Sequence, residues 1–186
     1  MSRFAVFIDG AYLSFMLRDE FPQAAVDFER LVHTVAPSTR ELLRAYYYDC
    51  PPHVSEPSTE EERTRQRNFD RFRQALERIP RFEVRLGKLA RRTDGRTGAV
   101  RYEQKRVDLL LGIDIVRLAS KRQIDELVIV AGDSDFVPAL QVAKEEGVLC
   151  RLYHGKDPHR ELRQVADECC RIDAAFVDAI KRLPGR

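Results

Sequence analysis

Five runs rich in apolar and β-branched residues punctuate the chain, at 4–8, 42–48, 82–86, 127–131 and 148–153. Each has the length of a strand. The runs at 4–8 and 127–131 are apolar at successive positions, as in strands buried on both faces. Between the runs, apolar positions return every three or four residues. That spacing predicts helices over 11–19, 27–36, Glu60–Ile79, Val107–Ser120, Val137–Glu146, Arg160–Arg171 and Ala174–Leu183. Ser58 or Thr59 is placed to cap the long helix from Glu60, with Glu61 or Glu62 completing a capping box, and Pro51, Pro52 and Pro57 mark the loop before it. Phe82–Leu86 alternates instead, and Asp94-Gly95 is the turn of a hairpin ending near Val100-Arg101-Tyr102. Repeated strand-then-helix order predicts an α/β fold with a parallel sheet and helices on both faces. No repeat, low-complexity tract or linker interrupts it. Residues 1–186 therefore read as a single domain, with a C-terminal helix at about 174–183.

Two of the buried strands end in acid. Leu127-Val128-Ile129-Val130-Ala131 runs through Gly132 into Asp133-Ser134-Asp135, two carboxylates spaced i, i+2, before Phe136 and Val137 open a helix. Phe4-Ala5-Val6-Phe7-Ile8 likewise ends in Asp9-Gly10. Open α/β sheets bind ligands just beyond the carboxyl ends of their strands, so adjacent strands would focus these charges on one point. A third element adds to the set: Asp108 lies in the first turn of the helix opening at Val107, where the helix dipole favours a carboxylate. Gly112, a turn further on, would let that face approach the sheet, and Asp114, among Leu110, Leu111 and Leu118, would support the site from behind.

Asp9, Asp108, Asp133 and Asp135 offer only oxygen, a donor set suited to Mg²⁺ or Mn²⁺. No His or Cys cluster has zinc spacing. Clustered carboxylates holding such ions can hydrolyse a phosphodiester. Each acid alone also has a plainer role, because an Asp after a strand is commonly a helix N-cap, Asp135 before Phe136 above all. Nucleotide hydrolases also end a strand in Asp, but the GxxxxGK[ST] phosphate loop is missing from this chain.

Charge sharpens the picture. The net charge is +2, yet between Arg63 and Arg106 there are 15 Lys or Arg against 5 Asp or Glu. A basic block beside an acidic cluster suits a polyanion handled through metal ions, although an arginine-rich helix and hairpin can also be only a solvated surface. Arg91, Arg92, Arg96 and Arg101 on the hairpin are the expected phosphate contacts, and Lys105 can reach the same crevice. Tyr46, Tyr47, Tyr48 and Tyr102 are candidates for base stacking, with core packing the more common fate of tyrosines on a strand. His154 and His159 read as surface or capping residues. The four cysteines, Cys50, Cys150, Cys169 and Cys170, lack metal or disulfide spacing and read as core filler in a reduced, cytoplasmic protein. The N-terminus has no signal-peptide layout, and no apolar run approaches the roughly 20 residues of a membrane span.

In three blocks the chain resembles the NYN domain family, a branch of the PIN-like nuclease superfamily that includes the bacterial LabA-like proteins. They are Val6-Phe7-Ile8-Asp9-Gly10 with Tyr12-Leu13, Gln104-Lys105-Arg106-Val107-Asp108 with Asp114, and Val130-Ala131-Gly132-Asp133-Ser134-Asp135-Phe136-Val137-Pro138 followed by Glu146-Gly147-Val148. Tyr46-Tyr47-Tyr48-Asp49 and Leu162 to Asp167 are similar as well, so the likeness runs from about Phe4 to Asp173. The resemblance implies a PIN-like three-layer α/β/α domain with a central parallel sheet. It also implies a Mg²⁺- or Mn²⁺-dependent ribonuclease whose catalytic and metal-holding acids are Asp9, Asp108, Asp133 and Asp135, and whose partner is RNA. One departure matters. Many relatives carry Asn shortly after the first Asp, where this chain has Ala11 and Tyr12; Ser14, Ser134 or Tyr12 would have to substitute. The competing expectations are an RNA-binding regulatory protein without turnover and a phosphohydrolase of small esters, for which the basic block would be surplus. Homo-oligomerisation is left open.

Overall fold

The computed structural model describes residues 2–22, 24–93 and 100–182, with the backbone alone described for 89–93 and 100–105. Six strands form one parallel sheet in the order β3-β2-β1-β6-β7-β8: β1 (Arg3–Asp9), β2 (Glu41–Asp49), β3 (Phe82–Leu86), β6 (Glu126–Val130), β7 (Leu149–His154) and β8 (Glu168–Arg171). The chain winds outward from β1 to β3, then returns to the middle and winds outward again from β6 to β8. The strand order therefore reverses between β1 and β6. That is the place where doubly wound sheets open a ligand crevice.

Period-2 alternation sorts each strand's side chains between two cores. Phe7, Tyr46, Tyr48, Leu127 and Ile129 face α4 (Val107–Ser120), α5 (Val137–Glu145) and α6 (Arg160–Val165), through Leu111, Ile115, Leu140 and Leu162. Val6, Ile8, Tyr47, Val128 and Val130 face α1 (Gly10–Glu20), α2 (Phe28–Val35), α3 (Glu60–Glu77) and α7 (Ala174–Ile180). The fold is the three-layer α/β/α arrangement with a central parallel sheet that the resemblance implies. The capping box forms as expected, Thr59 accepting from the Glu62 N–H while Glu62 accepts from the Thr59 N–H. At the opposite end of the sheet from the acids, Glu126 is 2% exposed and lies between Arg40 and Arg151. No described helix is long and apolar enough to cross a membrane.

Two elements differ from expectation. The helix expected over Arg160–Arg171 stops at Val165, because Asp167 is drawn to β7: its N–H donates to the Cys150 carbonyl at 2.9 Å and its carboxylate accepts from the Cys150 N–H at 2.8 Å. The chain then continues as the edge strand β8. The hairpin, too, does not use Phe82–Leu86, which joins β2 in the main sheet. Its arms are β4 (Lys88–Thr93) and β5 (Val100–Lys105), paired antiparallel from Lys88 opposite Lys105 to Thr93 opposite Val100. The expected Asp94-Gly95 turn lies outside the described residues.

Candidate active site

At the β1–β6 switch point the strands are in register, Ile8 beside Val130 on one side and Asp9 beside Tyr48 on the other. Asp9 thus ends the central strand with β2 and β6 flanking it. Asp49 ends β2 at the neighbouring level, and Asp133 follows β6 after the Ala131-Gly132 turn. Asp108 enters from the first turn of α4, and Asp135 from the 3-10 turn Ser134–Phe136 that leads into α5.

The cap role and the site role coexist at two of these acids. Asp9 caps α1, its Oδ1 accepting from the Tyr12 N–H at 3.0 Å. Asp133 caps the 3-10 turn, its Oδ1 accepting from the Asp135 N–H at 3.2 Å. Asp135 caps nothing, because the N-cap of α5 is Phe136, without a side-chain bond.

Electrostatics tie the acids together. Burial pushes the Asp9 carboxyl from an ordinary 3.8 up to about 6, with repulsion from Asp108 and Asp49 adding to the rise. Asp108 is likewise raised, by desolvation and then by Asp135 and Asp133. Asp49 is raised by burial, against the bonds it accepts from the Cys50 N–H at 2.7 Å and the Tyr47 hydroxyl at 3.3 Å. No ion pair from a described cation reaches any of the five acids. A run of carboxylates that repel one another without a counter-charge is unfavourable by itself.

Oxygen-only donors whose negative charge no described cation pairs fit a hard divalent cation in chemistry. In geometry, among the described residues, no three carboxylate, imidazole or thiolate groups stand close enough to hold an ion as they are. Asp49 belongs to the group yet was not among the acids picked out by sequence. The signal is the same one that marks Asp9, an acid ending a buried strand, although here the last positions are three tyrosines in place of aliphatic residues.

Tyr12 and Gly132 fix the loop that carries Asp133. A Cβ on Gly132 would stand 2.1 Å from the Tyr12 ring, so the ring lies against bare backbone. The Tyr12 hydroxyl accepts from the Gly155 N–H at 2.9 Å, tying α1 to the loop after β7. Overpacking of this kind costs typically 1–3 kcal/mol. Gly132→Ala is accordingly expected to lower stability by about 2 kcal/mol in urea melts; an unshifted midpoint would mean that the ring moves aside freely.

Several other expectations can be placed. Gly112 faces Ala139 of α5, 3.7 Å from where its Cβ would be, and not the sheet. Asp114 is 6% exposed, accepts from the Tyr48 hydroxyl at 2.9 Å, and pairs with Arg117 at 2.8 Å and Arg85 at 3.5 Å. Ser134 donates weakly to Asp133 at 3.5 Å. Tyr46, Tyr47 and Tyr48 are buried and pack against other aromatics, Tyr46 stacked on Phe7 and Tyr47 edge to face with Phe28, instead of presenting faces to bases. His154 is buried beside the Gly155 carbonyl, not on the surface, because β7 continues through it; His159 holds the N-cap position of α6 without a capping bond. Cys50 and Cys150 are core residues, whereas Cys169 is exposed and Cys170 part-buried on the edge strand. Several arginines of the basic block are already paired, Arg63 and Arg67 with Glu60 and Arg73 with Glu77. Arg96 and the side chains of Arg91, Arg92, Arg101, Tyr102 and Lys105 lie outside the described residues. The hairpin's base is placed, however. It leaves the sheet at Gly87, whose N–H donates to the Asp49 carbonyl at 2.9 Å, and rejoins at Arg106, held at a left-handed φ of 75° immediately before α4. It is therefore rooted at the acidic end of the sheet.

Carboxylates thus gather at the switch point of a parallel α/β sheet, with a hairpin rooted beside them. The NYN domain family matches residues 3–173, and the chain belongs to that family, whose members are generally nucleases. An uncharacterized protein, y4oD, of Sinorhizobium fredii is 37% identical over 86 residues, 44% of this chain and 40% of its own length. The match thus spans well under half of that relative. The crystal structure of MurG from Acinetobacter baumannii aligns with a TM-score of 0.45 and 10% identity, over 92% of this chain and 42% of that one.

Proposed function

We propose that the protein is a metal-dependent ribonuclease that hydrolyses phosphodiester bonds internally in RNA. The observation that supports this best is the gathering of acids at the β1–β6 switch point, where burial and neighbouring carboxylates oppose the ionisation of Asp9 and Asp108 and no described cation pairs with them. Asp9, Asp108, Asp133 and Asp135 would hold one or two Mg²⁺ or Mn²⁺ ions. Bound there, such ions supply a nucleophile at neutral pH and offset charge on the phosphate. The chain's own part is positional. The cap bonds to the Tyr12 and Asp135 N–H groups fix Asp9 and Asp133 through one oxygen each, and Tyr12 and Gly132 hold the loop between β6 and α5 against α1. The hairpin arginines would bind phosphates flanking the cleaved bond, which selects for a polymer over a small ester. Residues 1–186 act as one domain in this proposal, in a cytoplasmic setting.

A second proposal, an RNA-binding regulatory protein without turnover, draws support from Ala11 and Tyr12 standing where many relatives carry Asn. One experiment separates the two. Cellular RNA is incubated with the protein and Mn²⁺ or chelator, and new ends are sequenced. New ends that need Mn²⁺ and vanish in Asp133→Asn are expected; RNA bound but left intact would support the regulatory protein.

The substrate contact has its own test. Each phosphate contact on a single strand contributes about 0.7 to the slope of log affinity against log salt. The Arg91→Ala, Arg92→Ala double variant is expected to bind RNA more weakly with a slope flatter by about 1.4, nearly uniformly across sequences because backbone contacts carry no base information. An unchanged slope would make these arginines a solvated surface only.

A further inference from the structure

One face of α4 is apolar where a solvent-facing helix is ordinarily polar. Leu109 is 63% and Ile113 51% exposed, and Gly112 and Val116 complete the stripe. With Pro138 and Val142 of α5 they line a groove of about 860 Å³ that begins at Asp108 and Asp135 and ends at Arg117. Projecting leucine and isoleucine beside a depression at Gly112, where α4 and α5 come together, put ridge and groove on the same surface. A two-fold contact requires that self-complementarity.

We propose that this face binds a second copy of the chain, the two α4 helices packing antiparallel about a two-fold axis near Gly112 and Ile113. Charge sets the register. Asp108 and Arg117 lie nine residues apart, about 13 Å along a helix at 1.5 Å per residue, and their midpoint falls between Gly112 and Ile113. Antiparallel pairing about that midpoint sets the Arg117 of each protomer against the Asp108 end of the other, while a parallel or shifted pairing sets like charges together. Arg117 already reaches Asp114 at 2.8 Å but is 45% exposed, so it can approach a second carboxylate. Nucleic acid fits this groove less well: between the acids and Ser134 at one end and Arg117 at the other its described lining is aliphatic, without an aromatic platform, and its one cation is paired. The contact would also bring the two acidic crevices to one interface, Arg117 of the partner subunit standing at the rim of each.

The test is sedimentation equilibrium of the full chain, without nucleic acid, over a range of concentrations. The parent chain is expected to move from 21.5 kDa toward twice that mass, and Ile113→Lys to remain at the lower mass with an unchanged melting temperature, since the side chain is exposed. Ile113→Cys, treated with diamide, is expected to form a reducible covalent dimer beyond any that the parent chain forms through Cys169, because an axis at this position brings the two copies of residue 113 together. A monomer at every concentration overturns the proposal. So does a dimer indifferent to Ile113→Lys, or a variant of unchanged mass that loses affinity for single-stranded RNA, which would assign the groove to the substrate. Mass is read without substrate, so this proposal and the ribonuclease proposal fail independently.

Discussion

Asp9→Asn is expected to make the metal-free protein more stable near neutral pH and to abolish RNA cleavage. Asp9 is 7% exposed, and its carboxyl titrates at about 6 in the folded chain against an ordinary 3.8. The folded state therefore holds a proton between these values that the unfolded chain has released, so stability falls as pH rises through that window. At about 1.4 kcal/mol per pKa unit, the loss amounts to about 3 kcal/mol once pH exceeds 6. Asn keeps the cap, since its side-chain oxygen can accept from the Tyr12 N–H as well as the carboxylate does, and it has no proton to lose. The gap in unfolding free energy between variant and parent, measured in chelator, is thus expected to be near zero at about pH 3 and about 2–3 kcal/mol above pH 7. Adding Mn²⁺ should narrow it, because an ion that binds only the folded parent restores stability by mass action. A gap that is flat with pH would remove Asp9 from the set of opposed acids.

The layering and the acids at β1, α4 and β6 were legible because both are written locally. Doubly buried strands are continuous apolar runs, and an acid that ends one has few places to lie other than the sheet's carboxyl edge. Legibility failed where tertiary partners decide. Glu168–Arg171 is a strand because Asp167 docks on Cys150, 17 residues away in sequence. Phe82–Leu86 alternates like a hairpin arm, yet its partner is β2 and not β4. Asp49 follows three tyrosines, and only the register of β1 on β2, which sets Asp9 opposite Tyr48, brings it next to the level of Asp9. Gly112 lies one turn beyond Asp108, which predicts contact with the sheet, whereas the rotation of α4 turns it to α5.

Burial alone does not separate a structural acid from one that serves chemistry, and Asp114 shows the distinction by its partners. It accepts from the fully buried Tyr48 hydroxyl and lies between two guanidinium groups, one of which, Arg85, also stands over the Tyr46 ring and has a buried Nε without a hydrogen bond. Asp9 and Asp108, by contrast, meet like charge. Removing one member of a buried charged network strands the others, at a cost of about 3–5 kcal/mol. Asp114→Ala is expected at the lower end, about 3 kcal/mol, because Arg117 is half exposed and Arg85, one-third exposed, keeps Glu83 at 3.0 Å, whereas the buried Tyr48 hydroxyl loses its partner. Tyr48→Phe should cost about 1 kcal/mol alone and much less in the Asp114→Ala background, since its partner is already gone. The contrast with Asp133→Asn then becomes the decisive measurement. Asp114→Ala should lose stability in urea melts yet bind Mn²⁺ by titration calorimetry as the parent does, whereas Asp133→Asn should keep its stability and lose the ion. If Asp114→Ala instead loses the ion at little cost to stability, Asp114 belongs with the acids of the crevice and the structural assignment fails.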